Sequence, residues 1–384
     1  MSMNKMFKKV LAVVAAGAMT MGMAMPTFAA DGGKTTEAWI TKTYNTEVGK
    51  AETFSFTATQ KTGDGLIGTT ADVKIPTISF TADQTGTTSK RSQITFPTYS
   101  EAGKYEYTVK ETQTADPIVA NSDHEKMIMS QAEYTMDVYV TDGATGTEIS
   151  NIVVNKVKDD AGQTVTGKGK VDIGNTDTNT FNFTNTYVQE AGTGTNPTDP
   201  DPTYNENGSL KVSKAVVNAN GTTTTPDDEF TFTATFAFPA GTNASTLGGI
   251  KANGGDVTLA EGGTYTFHLK ANKNMKFTGV PVGTTITVKE SAAKNYKGSA
   301  EITINGTKLT SVAATSYNTE FTVVNSQNSQ KLGRKQNTVD VTNTYNDVPV
   351  TGIIMNTLPY VLMIALCGVA LIAFVGFKRR RLQK

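Results

Sequence analysis

Cysteine, histidine and tryptophan are nearly missing from this sequence: one cysteine, two histidines and one tryptophan occur in 384 residues. A single cysteine, Cys367, excludes a disulfide framework within the chain. His124 and His268 are too few for a histidine-based metal site or a catalytic triad. His124-Glu125 opens like a zinc-protease helix, but Ile128 stands where the second histidine is required. Gly162 to Gly169, GQTVTGKG, nearly spells a phosphate-binding loop, yet Gly169 occupies the position that needs Ser or Thr. No metal and no cofactor are expected. Long apolar runs are also absent except at the two ends, so nothing between the ends can span a bilayer.

An excess of positive charge is lacking too. The chain has 35 basic and 35 acidic residues, but eight of the basic ones (Lys5, Lys8, Lys9, Lys378, Arg379, Arg380, Arg381, Lys384) lie in end segments that contain no acid. Without those ends the count is 27 against 35, a net charge of −8. An acidic surface argues against nucleic acid as a partner, because phosphate binding needs concentrated Lys and Arg.

The ends carry processing signals. Lys5, Lys8 and Lys9 precede an apolar stretch from Val10 to Met23, and Thr27-Phe28-Ala29-Ala30 supplies small residues for cleavage. Residues 1–30 read as a signal peptide, with cleavage after Ala29 or after Ala30. Residues 348–384 hold Val348-Pro349-Val350-Thr351-Gly352, an apolar run from Leu358 to Phe377, and the basic tail Lys378-Arg379-Arg380-Arg381. That run is long enough to span a bilayer as a helix, and the tail behind it keeps the end cytoplasmic. The pentapeptide resembles the LPxTG-type sorting signal of Gram-positive surface proteins, with Val in place of Leu. That resemblance implies sortase cleavage between Thr351 and Gly352 and transfer of the Thr351 carbonyl to an amine.

Between the ends the text is almost all β. Thr, Val, Phe and Tyr alternate with polar residues in FSFTAT (54–59), KYEYTVKE (104–111), FNFTNTY (181–187), EFTFTATF (229–236), TITVKE (285–290) and VDVTNTY (339–345). Such strands, separated by Gly, Asn and Asp turns, describe two tandem immunoglobulin-like β-sandwich domains, at 31–188 and 209–347. Residues 189–208, QEAGTGTNPTDPDPTYNENG, read as a short, semi-extended linker. Asp123–Ala132 has room for one or two helical turns.

The two halves repeat one pattern: FSFTAT matches FTFTAT, YTVKE matches ITVKE, and FTNTY matches VTNTY. Lys42, Glu111 and Asn185 form one set, and Lys214, Glu290 and Asn343 the other. Strand alternation puts Ile40 and Lys42 on one face, Val212 and Lys214 on one face, and each Asn on the face of the large apolar residues before it. A buried lysine needs a partner or must lose its charge. Spontaneous amide formation fits this set: a desolvated, neutral amine attacks the Asn carboxamide while a buried Glu shuttles the proton to the departing ammonia. Glu111 and Glu290 would each act once, on their own chain. Lys50, Lys61 and Lys211 compete for the lysine role with a weaker facial argument.

With these motifs the chain resembles the major pilins, or T-antigen backbone subunits, of streptococcal pili. The resemblance implies one Lys–Asn isopeptide bond per domain, Lys42 with Asn185 and Lys214 with Asn343. It also implies head-to-tail joining of identical subunits by sortase through Thr351, and attachment to peptidoglycan directly or through a basal subunit. The acceptor lysine is expected shortly before Asn185, at Lys168 or Lys170, with Lys156 and Lys158 as alternatives. A monomeric sortase-anchored adhesin with the same internal links is the competing reading, and either could present a ligand-binding face to a host surface. Turnover of an external substrate is not expected.

Overall fold

Period-two alternation becomes sheet wherever one face can be buried, and the strand Leu210–Val217 shows the result, with every second side chain inside. The computed structural model describes residues 35–167, 169–324, 330–346, 360 and 362–375. The described chain is all-β, as two immunoglobulin-like sandwiches in tandem. In the first, one sheet runs Gly86–Gln93, Trp39–Thr46, Asn182–Gln189, Glu125–Ile128 in spatial order, and the facing sheet runs Phe56–Lys61, Gly103–Glu111, Glu133–Gly143, Gly146–Lys158. In the second, a larger sheet centres on Lys273–Thr278, Leu210–Val217, Thr338–Tyr345 and Tyr296–Ile304, facing Thr264–Lys270, Glu229–Ala237, Thr285–Glu290 and Phe321–Val324.

The first and last strands of each domain are parallel neighbours, Trp39–Thr46 beside Asn182–Gln189 and Leu210–Val217 beside Thr338–Tyr345. Parallel neighbours cannot be joined by a tight turn, so the rest of the domain forms the crossover between them. Each domain has its own apolar core. Tyr44, Tyr107, Phe181 and Phe183 are buried in the first, and Phe230, Phe232, Phe277 and Val339 in the second. Full burial of each such side chain contributes about 1.5–3 kcal/mol.

Two local expectations are corrected. Asp123–Ala132 is not helical: Glu125–Ile128 is a strand that pairs with the end of Asn182–Gln189, and Glu125 and Met127 point inward. Period-two burial at a free sheet edge wins there over the short run of helix formers. Residues 189–208 are not a semi-extended joint. Gln189, Glu190, Ala191 and Thr193 are buried, and Pro202–Asn207 is a short helix. Asp201 caps that helix through Thr203 N, Pro202 opens it, and Gly208 at φ 61° ends it. Backbone N–H groups of Ala191, Gly192 and Gly194 donate to Val280, Gly333 and Arg334, so the segment is docked on the second domain.

One carboxylate ties the joint together. Glu190 Oε1 accepts from Tyr204 Oη at 2.7 Å, Ser209 Oγ at 2.6 Å and Gly279 N at 2.5 Å. Its Oε2 lies 2.7 Å from His124 Nδ1 of the first domain. Lys331 and Glu47 form a second bridge across the joint at 3.1 Å.

Residues 1–30 and the pentapeptide 348–352 lie outside the described residues. Tyr360 and residues 362–375 are helical and carry exposed apolar side chains, among them Ile364, Leu366, Ile372 and Phe374. Among the described residues no helix is long and apolar enough to cross a membrane, and the remainder of the run from Leu358 to Phe377 lies outside them.

Candidate functional site

In each domain the lysine and asparagine come from the paired first and last strands, and the glutamate comes from the facing sheet. Lys42 pairs in register with Phe183, two residues before Asn185, and Lys214 pairs with Val341, two residues before Asn343. Residues two apart share a face, so the same offset brings amine and carboxamide side by side in both domains. Glu111 and Glu290 end the strands Gly103–Glu111 and Thr285–Glu290, with their side chains turned inward.

All six side chains are buried, and Lys42 and Asn185 are 0% exposed. Lys42 Nζ lies 2.7 Å from Glu111 Oε1, and Asn185 Nδ2 donates to that same oxygen at 3.0 Å. Lys214 Nζ donates to Glu290 Oε1 at 2.7 Å, and Asn343 Nδ2 donates to it at 2.6 Å. The Lys42 approach has ion-pair distance without hydrogen-bond alignment, unlike that of Lys214. Aromatic rings floor both sites: Lys42 Nζ is 4.4 Å from the Phe54 centroid and Lys214 Nζ 4.1 Å from that of Phe230.

Electrostatics follow from the dryness. Burial pushes the Lys42 amine down to about 8, against the pull of Glu111, and pushes Lys214 down to about 8, against Glu290. Burial likewise holds the Glu111 carboxyl above the usual carboxylate range, opposed by Lys42 and by the hydrogen bond from Asn185. Desolvation therefore exceeds the Coulombic gain of the Lys42–Glu111 pair, which is the usual balance for an ion pair deep in a core. A neutral amine is therefore within reach near neutral pH, beside a Glu111 carboxyl that holds a proton more readily than an ordinary one. The three groups can exchange protons and bring a nucleophile against an amide carbonyl.

The competing lysines are engaged elsewhere. Lys50 lies 3.7 Å from Glu125 and over the Tyr187 ring, Lys61 bonds Glu106, and Lys211 bonds Glu206. Of the acceptor candidates, Lys168 lies outside the described residues. Lys170 is exposed and bridges to Asn155 on the strand Gly146–Lys158, at the outer edge of its sheet. Lys156 and Lys158 lie on that same strand, and Lys158 pairs with Glu133 at 3.2 Å.

Sequence reasoning missed three contributors. Ser130 N–H donates to Asn185 Oδ1 at 2.7 Å, and Ser130 Oγ bonds Asp160 at 2.5 Å. Gly298 lies opposite Asn343 in register, where a Cβ would sit 2.7 Å from the Phe321 ring and 3.2 Å from Asn343 Oδ1. Any side chain there would displace the ring or the amide. Only the glycine inside an alternating run, YKGSAEITI, gave a signal of close approach.

Comparison with known proteins adds an independent line. Residues 38–188 match the family model described as the Spy0128-like isopeptide containing domain, and residues 208–345 match a domain of unknown function, DUF7601. No curated protein matches the sequence. Among solved structures, the major pilin from Streptococcus pyogenes aligns at 18% identity over 80% of this chain and 98% of its own, with a TM-score of 0.31. A bacterial adhesin from Mobiluncus mulieris containing disulfide, isopeptide and ester cross-links aligns at 14% identity over 82% of this chain and 92% of its own, with a TM-score of 0.22. The family model, and not these superpositions, carries the assignment. Its matched segment begins just before Lys42 and ends just after Asn185, so it encloses the first site whole. Residues 38–188 thus form a domain of the Spy0128-like isopeptide containing family.

Proposed function

We propose that the chain is the shaft subunit of a covalently polymerised Gram-positive pilus, with each sandwich welded by one Lys–Asn isopeptide bond. The observation that carries this reading is the Lys–Glu–Asn set, buried and in the same strand register in both domains. In each set Glu Oε1 takes a proton from the lysine amine as Nζ attacks the Asn carbon. The Nζ–Cγ bond forms, the Cγ–Nδ2 bond breaks, and the glutamate returns the proton to the departing nitrogen, which leaves as ammonia. Folding supplies the proximity, for which an effective contribution of about 7–11 kcal/mol is available. The product amide carries no charge, so the desolvation penalty on the lysine disappears with the reaction.

A neutral amine is required, which fixes the pH dependence. With the lysine held at about 8, roughly one molecule in ten is reactive at pH 7, against about one in 3,000 for an ordinary lysine. Bond formation after refolding should therefore accelerate about tenfold per pH unit from about pH 6 and level off near 8. Time-resolved intact mass across that range checks it, and a rate still climbing steeply beyond pH 9 would mean that the lysines keep their ordinary affinity for protons.

Assembly rests on the sorting pentapeptide and on the family of the first domain. The full chain, expressed with the pilin sortase of its own cell, should yield a ladder of covalent oligomers. Thr351→Ala should abolish it. Attachment to wall peptide alone, with no ladder, favours the monomeric adhesin instead.

A further inference from the structure

The two sites share their lysine, glutamate and asparagine but differ at the oxygen of the amide under attack. In the first domain Asn185 Oδ1 accepts the Ser130 N–H at 2.7 Å in a fully buried setting. In the second, among the described residues, Asn343 Oδ1 is buried and has no hydrogen-bond partner. We propose that the Ser130 N–H is an oxyanion donor for closure of the Lys42–Asn185 bond, that Asp160 positions it, and that the first domain therefore closes before the second.

The inference rests on the cross-linking reading above and adds an order to it. When Nζ adds to the Asn carbon, negative charge collects on Oδ1 before ammonia leaves. A donor already aimed at that oxygen stabilises the charge without rearrangement, and loss of one such donor costs about 10²–10³-fold in rate. The Ser130 peptide is held from several sides. Its Oγ donates to Asp160 Oδ1 at 2.5 Å and accepts Ala132 N–H at 3.1 Å, and its carbonyl accepts from Gln113 Nε2 at 2.9 Å. Asp160 Oδ1 also accepts the Thr184 N–H at 2.8 Å, on the strand that carries Asn185, so one carboxylate holds donor and substrate amide in step. The arrangement fixes the amide orientation as well. An N–H can face only Oδ1, which leaves Nδ2, the departing nitrogen, on Glu111. In the second domain Nδ2 is held on Glu290, and among the described residues no such donor lies opposite.

Chain recovered unfolded in urea is diluted into native buffer, quenched in acid at intervals, and digested, and the two cross-linked peptide pairs are quantified. Trp39, the only tryptophan, reports folding of the first domain independently. The Lys42–Asn185 link should form about 10²-fold faster than Lys214–Asn343. Ser130→Pro, which removes the N–H, should slow the first link by a similar factor without changing the Trp39 phase or the second link. Asp160→Ala should slow it less, and Asp160→Asn, which keeps an acceptor for Ser130, should restore most of the rate. If Ser130→Pro does not fold, the two rates in the unsubstituted chain still decide. Equal closure rates, or a Ser130→Pro chain that closes unchanged, would overturn the proposal while leaving the cross-links standing. Failure of either pair ever to lose ammonia would remove the cross-linking reading itself, and this inference with it.

Discussion

Pulled by its two ends, the cross-linked chain should lengthen by no more than the residues outside its two loops allow. The stretch between Asn185 and Lys214 is the main reserve, roughly 100 Å if the docked segment peels away. A chain in which Glu111→Ala and Glu290→Ala block both bonds should behave differently. Each domain encloses more than 100 residues between its lysine and asparagine, so each unfolding event should release upward of about 330 Å. The contrast follows from topology. Force enters the first sandwich through Trp39–Thr46 and leaves through Asn182–Gln189, which are neighbours in one sheet. A covalent link between neighbouring first and last strands carries the load past all the strands between them, and hydrogen-bonded ladders in the enclosed loop are never sheared. Single-molecule extension of the two chains checks this directly. Long extension steps in the unsubstituted chain would contradict it.

Heat should separate the same two chains. Closing a loop of this length is worth about 5 kcal/mol in the entropy account used for disulfides. At about 2–4 °C per kcal/mol, each domain without its bond should melt roughly 10–20 °C lower. Glu111→Ala should fall further than bond loss alone requires, because Lys42 is left buried without its partner, an arrangement that costs about 3–5 kcal/mol. Lys42→Met separates the terms. It also prevents the bond, but it fills the same volume and leaves no unpartnered amine in the core, and burial already raises the proton affinity of the Glu111 that remains. Calorimetry should therefore rank the first domain as unsubstituted, then Lys42→Met, then Glu111→Ala. Equal melting temperatures for the unsubstituted chain and Lys42→Met would show that no covalent link was present to lose.

Much of this was legible from the residues. Alternation alone set Lys42 beside Ile40 on an inward face, and the repeat of YTVKE and FTNTY in a second copy picked out Glu111, Asn185, Glu290 and Asn343 from many similar residues. The common offset of two residues between lysine and asparagine was not legible, because it depends on parallel pairing of strands more than 100 residues apart. Ser130 and Asp160 escaped for a related reason. Ser130 acts through its backbone N–H, which every residue but proline carries, and Asp160 reaches the site from a turn. The docked segment after Gln189 was misread although its signals were present. Asp201-Pro202 and Gly208 bracket Pro202–Asn207 as a cap, a first-turn proline and a terminating glycine, but six residues are too few to show a helical period. Glu190 looked like a linker charge, and only the tertiary structure gathers its four donors from three segments.

The intact mass of the soluble mature chain decides whether the two bonds exist. That mass should fall short of the sequence by two ammonias, with one regained in Glu111→Ala, one in Glu290→Ala and both in the double variant. A mass equal to the full sequence, in chain shown to be folded and held well above pH 8, would contradict it.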